Sequence, residues 1–218
     1  MNHIKFLQDQ PAFSTREFAF LCGLSISAAS RKLARLEAKD AITKVTRGVW
    51  CQPSHARFSP NQAVRLLLGN ERGYVSFLSA LHTHGALSQI PAAVQVATTG
   101  HGRMLETPIG RYEFHQIKPE MMRSGIEVSE TNPPYLRASA EKALLDTLYL
   151  GTRKGRRYSS LPELDGSVFD LAKLECLTDA LCYPNAIASA ISARLARHLP
   201  DLRADALRAF RTASRTAA

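Results

Sequence analysis

The stretch SISAASRKLARLEAKDAITKVTRGVWCQP, Ser25 to Pro53, decides how the chain is read, because a helical period gives way to β-strand runs inside it. Ser25 is an N-cap residue type, and Ile26, Ala29, Leu33 and Leu36 follow it at helical spacing as one apolar stripe. The pattern then changes. Ile42–Val45 and Val49–Gln52 are short β-prone runs flanking Thr46-Arg47-Gly48, whose glycine suits a positive-φ turn. In alternation along these runs Ile42 and Trp50 face the helix. Trp50 is the single tryptophan, and burying its ~150–250 Å² anchors a two-stranded ribbon that would be marginal alone.

Upstream, Ser14-Thr15-Arg16-Glu17 reads as a capping box, followed by Phe18, Leu21 and Cys22 at helical spacing and by Gly23 as the stop. Leu24 is expected to pack inward. Two helices joined by a glycine turn, followed at once by a hairpin, predict a winged helix-turn-helix. The polar face of the second helix carries Ser27, Ala28, Arg31, Lys32 and Arg35, small groups first and cations farther along. Small residues permit close approach to base edges, while Arg and Lys reach guanines or phosphates. With Ser25 at the helix start, Lys44 on the hairpin and Arg47 at its tip, these residues form the expected DNA-binding set. Such a face is also compatible with an ordinary solvated basic helix.

Charge favours the binding reading. The net charge is +9, and residues 1–60 hold nine Lys/Arg against four Asp/Glu, so more than half of the excess sits in little over a quarter of the chain. The four cysteines lack C-x-x-C spacing and predict buried reduced thiols. Without an apolar run of ~18 residues or an apolar signal segment, the sequence is expected to be cytoplasmic and to have no membrane partner.

Beyond a linker-like SHARFSPNQ, a second domain is expected. It would contain a helix over AVRLLLG and a helix from Phe77 to about Gly85. Strands are expected over AVQVATTG, Ile109–Ile117 and Gly125–Val128, and an amphipathic helix over Ser139–Leu150. The tail from Val168 reads as helices broken at Tyr183-Pro184 and again at Pro200. The fold class is therefore α+β: a winged helix over residues 1–58, then a small domain with a mixed sheet and a helical tail over 59–218. A loop holding Arg153, Lys154, Arg156 and Arg157 is a polyanion or antitoxin contact candidate, or simply a solvated loop.

No catalytic set, cofactor loop or metal site emerges. His82 and His84 lie two apart on a helix and face different ways, and Glu141-Lys142 reads as a common helix-surface pair beside Asp146. His101-Gly102-Arg103 matches neither phosphate-binding glycine pattern. The sequence therefore predicts no catalytic residues, cofactors or metal ligands, and binding is the simpler account.

The order of parts resembles the AbiEi family of type IV antitoxins. The resemblance rests on a series, Arg47–Pro53, Ser76–Gly85, Val94–Gly100 and Ala140–Leu150, and covers roughly the first three quarters of the chain. It implies a transcriptional repressor whose winged helix binds inverted repeats in double-stranded DNA of its own promoter. It also implies an α+β domain that counteracts a nucleotidyltransferase-like toxin without a stable complex. The alternative is a winged helix that targets an enzyme, a nuclease or a toxin-modifying transferase. A winged helix serving only protein contacts is a third.

Overall fold

The structure, a computed structural model, describes residues 3–153, 161–181 and 183–198. It is α+β, with a three-stranded antiparallel sheet and a six-stranded mixed sheet. The N-terminal unit begins with helix α1 (His3–Asp9) and strand β1 (Ala12–Ser14), neither of which the sequence pattern had suggested. Both are too short to show a period, yet they deliver Phe6 and Phe13 to the core. Helices α2 (Thr15–Cys22) and α3 (Ile26–Glu37) follow, then strands β2 (Thr43–Thr46) and β3 (Val49–Cys51).

Local chemistry sets these boundaries as expected. Ser14 Oγ accepts from the Glu17 N–H at 3.1 Å while Glu17 Oε2 accepts from the Ser14 N–H at 2.7 Å, completing the capping box. Gly23 ends α2 in the left-handed region at φ 65°, and the Leu24 N–H returns to the Ala19 carbonyl. Phe6, Phe13, Phe18, Ala29, Leu33, Ile42 and Trp50 make one buried cluster. Leu24 packs partly buried against it. Ile26, expected in the stripe, is 53% exposed: as the first residue of α3 it lies ahead of the turn where Ala29 enters the cluster.

Strand β3 lies between β1 and β2, and its alternation serves two cores. Trp50 faces the helices, while Val49 and Cys51, with Ala12 and Val45, join Val75, Val96, Tyr112 and Phe114 of the larger sheet in a second buried cluster. The small sheet is therefore covered on both faces. The linker-like segment is fastened too, because His55 and Arg57 hydrogen-bond the Gln8 carbonyl at 3.0 and 2.7 Å. The second buried cluster and the Arg65–Glu17 pair cross the boundary that the sequence suggested near residue 58.

After Ser59, whose hydroxyl caps a 3-10 turn over Pro60–Ala63, comes α4 (Val64–Leu68). The remaining elements are β4 (Gly73–Val75), α5 (Phe77–Thr83), β5 (Val94–Thr98), β6 (Arg103–Thr107), β7 (Gly110–Gln116), β8 (Ile126–Val128), β9 (Leu136–Ala138), α6 (Ala140–Arg153), α7 (Leu171–Leu181) and α8 (Asn185–His198). The sheet order is β6-β7-β5-β4-β9-β8, with β5–β7 and β4–β9 parallel. Strands β6 and β9 had no counterpart in the sequence reading; β6 alternates half-buried with exposed residues at an edge, and β9 has three residues.

Helix α6 corrects the sequence reading most. The sequence predicts an amphipathic helix, yet every residue from Ala140 to Gly151 is buried, because α5, α7 and α8 all pack on it and its N-terminal end meets the sheet. The expected surface pair is buried with it, Glu141 4% and Lys142 0% exposed. The cysteines also divide: Cys51 is buried and Cys22 half-buried, but Cys176 is exposed on the outer side of α7. No described helix is long and apolar enough to cross a membrane.

Candidate nucleic-acid interface

The expected DNA-binding residues lie on two adjoining elements of the N-terminal unit. Ser25 Oγ accepts from the Ala28 N–H at 3.2 Å and lies 3.2 Å from Ser27 Oγ, so the start of α3 is held by its own hydroxyls. Ser27, Arg31 and Arg35 are exposed, and Ala28 and Lys32 half-buried beside them. Arg35 Nε donates to the Arg31 carbonyl at 3.3 Å, which lays its guanidinium along the helix.

The hairpin is fixed to the start of α2 by two bonds to Thr15. Trp50 Nε1 donates to Thr15 Oγ1 at 2.8 Å inside the core, and the Thr15 N–H donates to the Gly48 carbonyl at 2.9 Å. Gly48, at φ 80°, makes the tight turn that leaves Arg47 exposed at the tip. Lys44 stands opposite Trp50 on the edge strand β2, its ammonium 5.9 Å from the ring centroid. Lys44 therefore shields the indole besides offering charge.

Among the described residues, Arg31, Lys32, Arg35, Lys44 and Arg47 lie within ion-pair distance of no carboxylate. Elsewhere three arginines are spent internally. Arg65 meets Glu17 at 2.6 Å, Arg103 meets Glu71 at 2.8 Å and Arg137 meets Glu127 at 2.8 Å. For Glu17, burial pushes the carboxyl up, but Arg65 and the Ser14 bonds outweigh it and hold it below its ordinary range. The capping box thus stays ionised, and it ties α2 to α4.

Two features near this face were not anticipated. Phe20 on α2 is 84% exposed, and Arg16 at the start of α2 is exposed, one residue past the Thr15 that holds the hairpin turn. The position of Phe20 out of phase with Phe18 was visible in the sequence, but the short helix made its facing ambiguous.

The remaining candidates are dispersed. His82 Nδ1 lies 2.9 Å from the Leu87 carbonyl, and His84 Nε2 lies 2.8 Å from the Ala138 carbonyl. His115 is buried edge-on to Phe77, while His101 is exposed in the connection between β5 and β6. Arg153 ends α6; Lys154, Arg156 and Arg157 lie outside the described residues.

Glu141 and Asp146 are the carboxylates of α6, and their oxygens are occupied. Asp146 Oδ2 accepts from Tyr74 at 2.9 Å and Ser76 at 2.8 Å, and Oδ1 accepts from Lys142 Nζ. Glu141 accepts from Ser139 Oγ at 2.9 Å and the Asp170 N–H at 3.0 Å. Burial, then the charge of Asp146, keeps the Tyr74 phenol well above its ordinary pKa and therefore a donor. The group is a fully sequestered latch between the β4–α5 corner and α6.

Comparison with protein-family models finds no match, and comparison with curated proteins finds no relative.

Proposed function

We propose that this chain is a DNA-binding transcriptional repressor whose N-terminal unit is a winged helix-turn-helix. In this reading α3 enters the major groove with Ser27, Ala28, Arg31, Lys32 and Arg35, and Arg47 at the wing tip meets the phosphates or the minor groove. The single observation that carries it is the pairing pattern of the cations. On α3 and the hairpin five cations cluster on one face, exposed or half-buried and without a carboxylate, whereas Arg65, Arg103, Arg111 and Arg137 are each paired with a glutamate. Free hydrated cations on a rigid frame are what counterion release from DNA requires.

The resemblance in the order of sequence motifs extends the proposal. The chain acts as the antitoxin of a type IV operon, represses its own promoter at inverted repeats, and counteracts a nucleotidyltransferase-like toxin without a lasting complex. Inverted repeats are met by two copies, one per half-site. The enzymatic alternative gains no support from Glu141 and Asp146, whose oxygens are taken by internal donors.

An electrophoretic shift on the DNA upstream of the chain's own gene tests the reading. If each site neutralises about six phosphates, affinity falls roughly a thousandfold between about 50 and 200 mM salt. Arg31→Ala costs about 1–3 kcal/mol on the native sequence and little on a scrambled one, if it reads a base. Equal binding to both sequences, unchanged by Arg31→Ala, rejects specific readout.

A further inference from the structure

We infer that the cleft between α4 and the β8–β9 hairpin is a binding site for a small apolar molecule bearing one carboxylate. The cleft exists because the sheet splays there: parallel β4 and β9 are in register at a single pair, Val75 with Arg137, and diverge from it. The opening, about 270 Å³, falls between α4, the start of β4 and the β8–β9 edge. Pockets for drug-sized ligands run from about 300 Å³ upward, so this one suits a bicyclic aromatic or a short acyl chain.

Its lining dictates the chemistry. Leu68, Met122 and Ile126 supply aliphatic walls, and the buried Tyr74 and Tyr135 contribute rings whose hydroxyls are already engaged, by Asp146 and by Asn61 Nδ2 at 3.0 Å. At the edge Leu136 is 50% exposed, and Val128, its partner across the hairpin, is 62% exposed, leaving uncovered apolar surface at the mouth.

Three ionised residues border the cleft, and two are committed. Glu71 is held by Arg103 at 2.8 Å and by Thr98 at 3.0 Å, and the Arg103 hydrogen bond is the main cause of its lowered pKa. Arg65 is taken by Glu17 at 2.6 Å. Arg72 is exposed and meets no carboxylate among the described residues. Its backbone is pinned beside the end of β5, where the Thr99 N–H donates to the Arg72 carbonyl at 3.0 Å. An apolar body in the cleft therefore places its anionic end where one fixed-origin guanidinium can reach it.

Calorimetric titration of the full chain with 1-naphthoate, octanoate and neutral 1-naphthalenemethanol tests the site, and with no DNA present the result is independent of the repressor reading. At least one carboxylate should bind about tenfold more tightly than the neutral alcohol. Arg72→Gln should abolish that preference, and Arg111→Gln, which breaks a remote exposed pair with Glu106, should keep it. Both changes are at exposed positions, and an unchanged melting curve certifies each variant. Binding of the three probes alike, a preference that survives Arg72→Gln, or no heat from any probe near millimolar concentration overturns the proposal. So does self-association that Leu136→Lys abolishes, which would give this surface to a second copy.

Discussion

Helices α3 and α6 are of similar length, 12 and 14 residues, and both start at a serine cap, yet they treat their cations in opposite ways. Helix α3 buries only Ala29 and Leu33 and leaves Arg31 and Arg35 in water. Helix α6 is enclosed along most of its length, and Lys142, fully buried, is matched by Asp146 one turn away. A cation taken out of water must be paired within the fold; one left in water needs no partner and can exchange its counterions for a phosphate. The contrast separates a helix that holds the molecule together from one that is offered to another molecule.

The sharpest way to break this contrast is to remove the acid from α6. Asp146→Ala leaves Lys142 as an uncompensated buried charge and also strips Tyr74 and Ser76 of their acceptor, so a loss of about 3–5 kcal/mol is expected in urea unfolding. The double change Lys142→Met with Asp146→Leu should recover part of it, because no lone charge remains. In contrast, Arg31→Ala and Arg35→Ala should each lie within about 0.5 kcal/mol of the parent, as expected of exposed side chains. If Asp146→Ala unfolds no earlier than Arg31→Ala, the latch is not what holds α6 to the sheet.

The next effect concerns how firmly the N-terminal unit is joined to the rest. Cys51 lies in the cluster shared by the two sheets, and burial pushes its thiol up from 9.0 to about 12. The unfolded chain then loses this proton first. The stabilisation is complete below pH 9 and is lost as pH rises from 9 towards 12, on the order of a few kcal/mol over that window. Cys51→Ala should flatten this part of the alkaline stability curve, measured by Trp50 fluorescence and by circular dichroism. Coincident transitions from the two probes would show that the small sheet and the large one unfold as one body. A separate early transition at Trp50 would make them independent.

The local signals in the sequence were strong wherever one residue type has one role. The capping box at Ser14, the stop at Gly23, the cap at Ser25, the turn at Gly48 and the inward faces of Ile42 and Trp50 all follow from backbone chemistry, and the structure has each of them. Strands β5, β7 and β8 were legible from their β-branched and aromatic runs. Three-residue strands such as β1 and β9 were not, since their pairing is decided by partners distant in sequence. The misreading of Glu141-Lys142 has the same origin. Charged residues on a helix signal an outer face unless the fold supplies acceptors, and here the acceptors and donors come from β4 and from the residue before α7. At the proposed interface the residues were all legible, but that their cations are unpaired is a fact of three dimensions.

The smallest effect distinguishes the two helices at their first turns. Ser25 caps α3 at the Ala28 N–H and otherwise meets only Ser27, so Ser25→Ala should cost about 1 kcal/mol, the worth of one cap in a solvated site. Ser139 caps α6 at the Lys142 N–H at 3.3 Å, but its hydroxyl also donates to the buried Glu141. Ser139→Ala therefore removes a cap and leaves a buried carboxylate oxygen without its donor, and should cost more than Ser25→Ala by about 1 kcal/mol or more. Equal losses in parallel urea titrations would mean that water reaches Glu141 and that the N-terminal end of α6 is less enclosed than its burial indicates. A larger loss at Ser25 would show that α3, with two buried residues, depends on its cap rather than on packing.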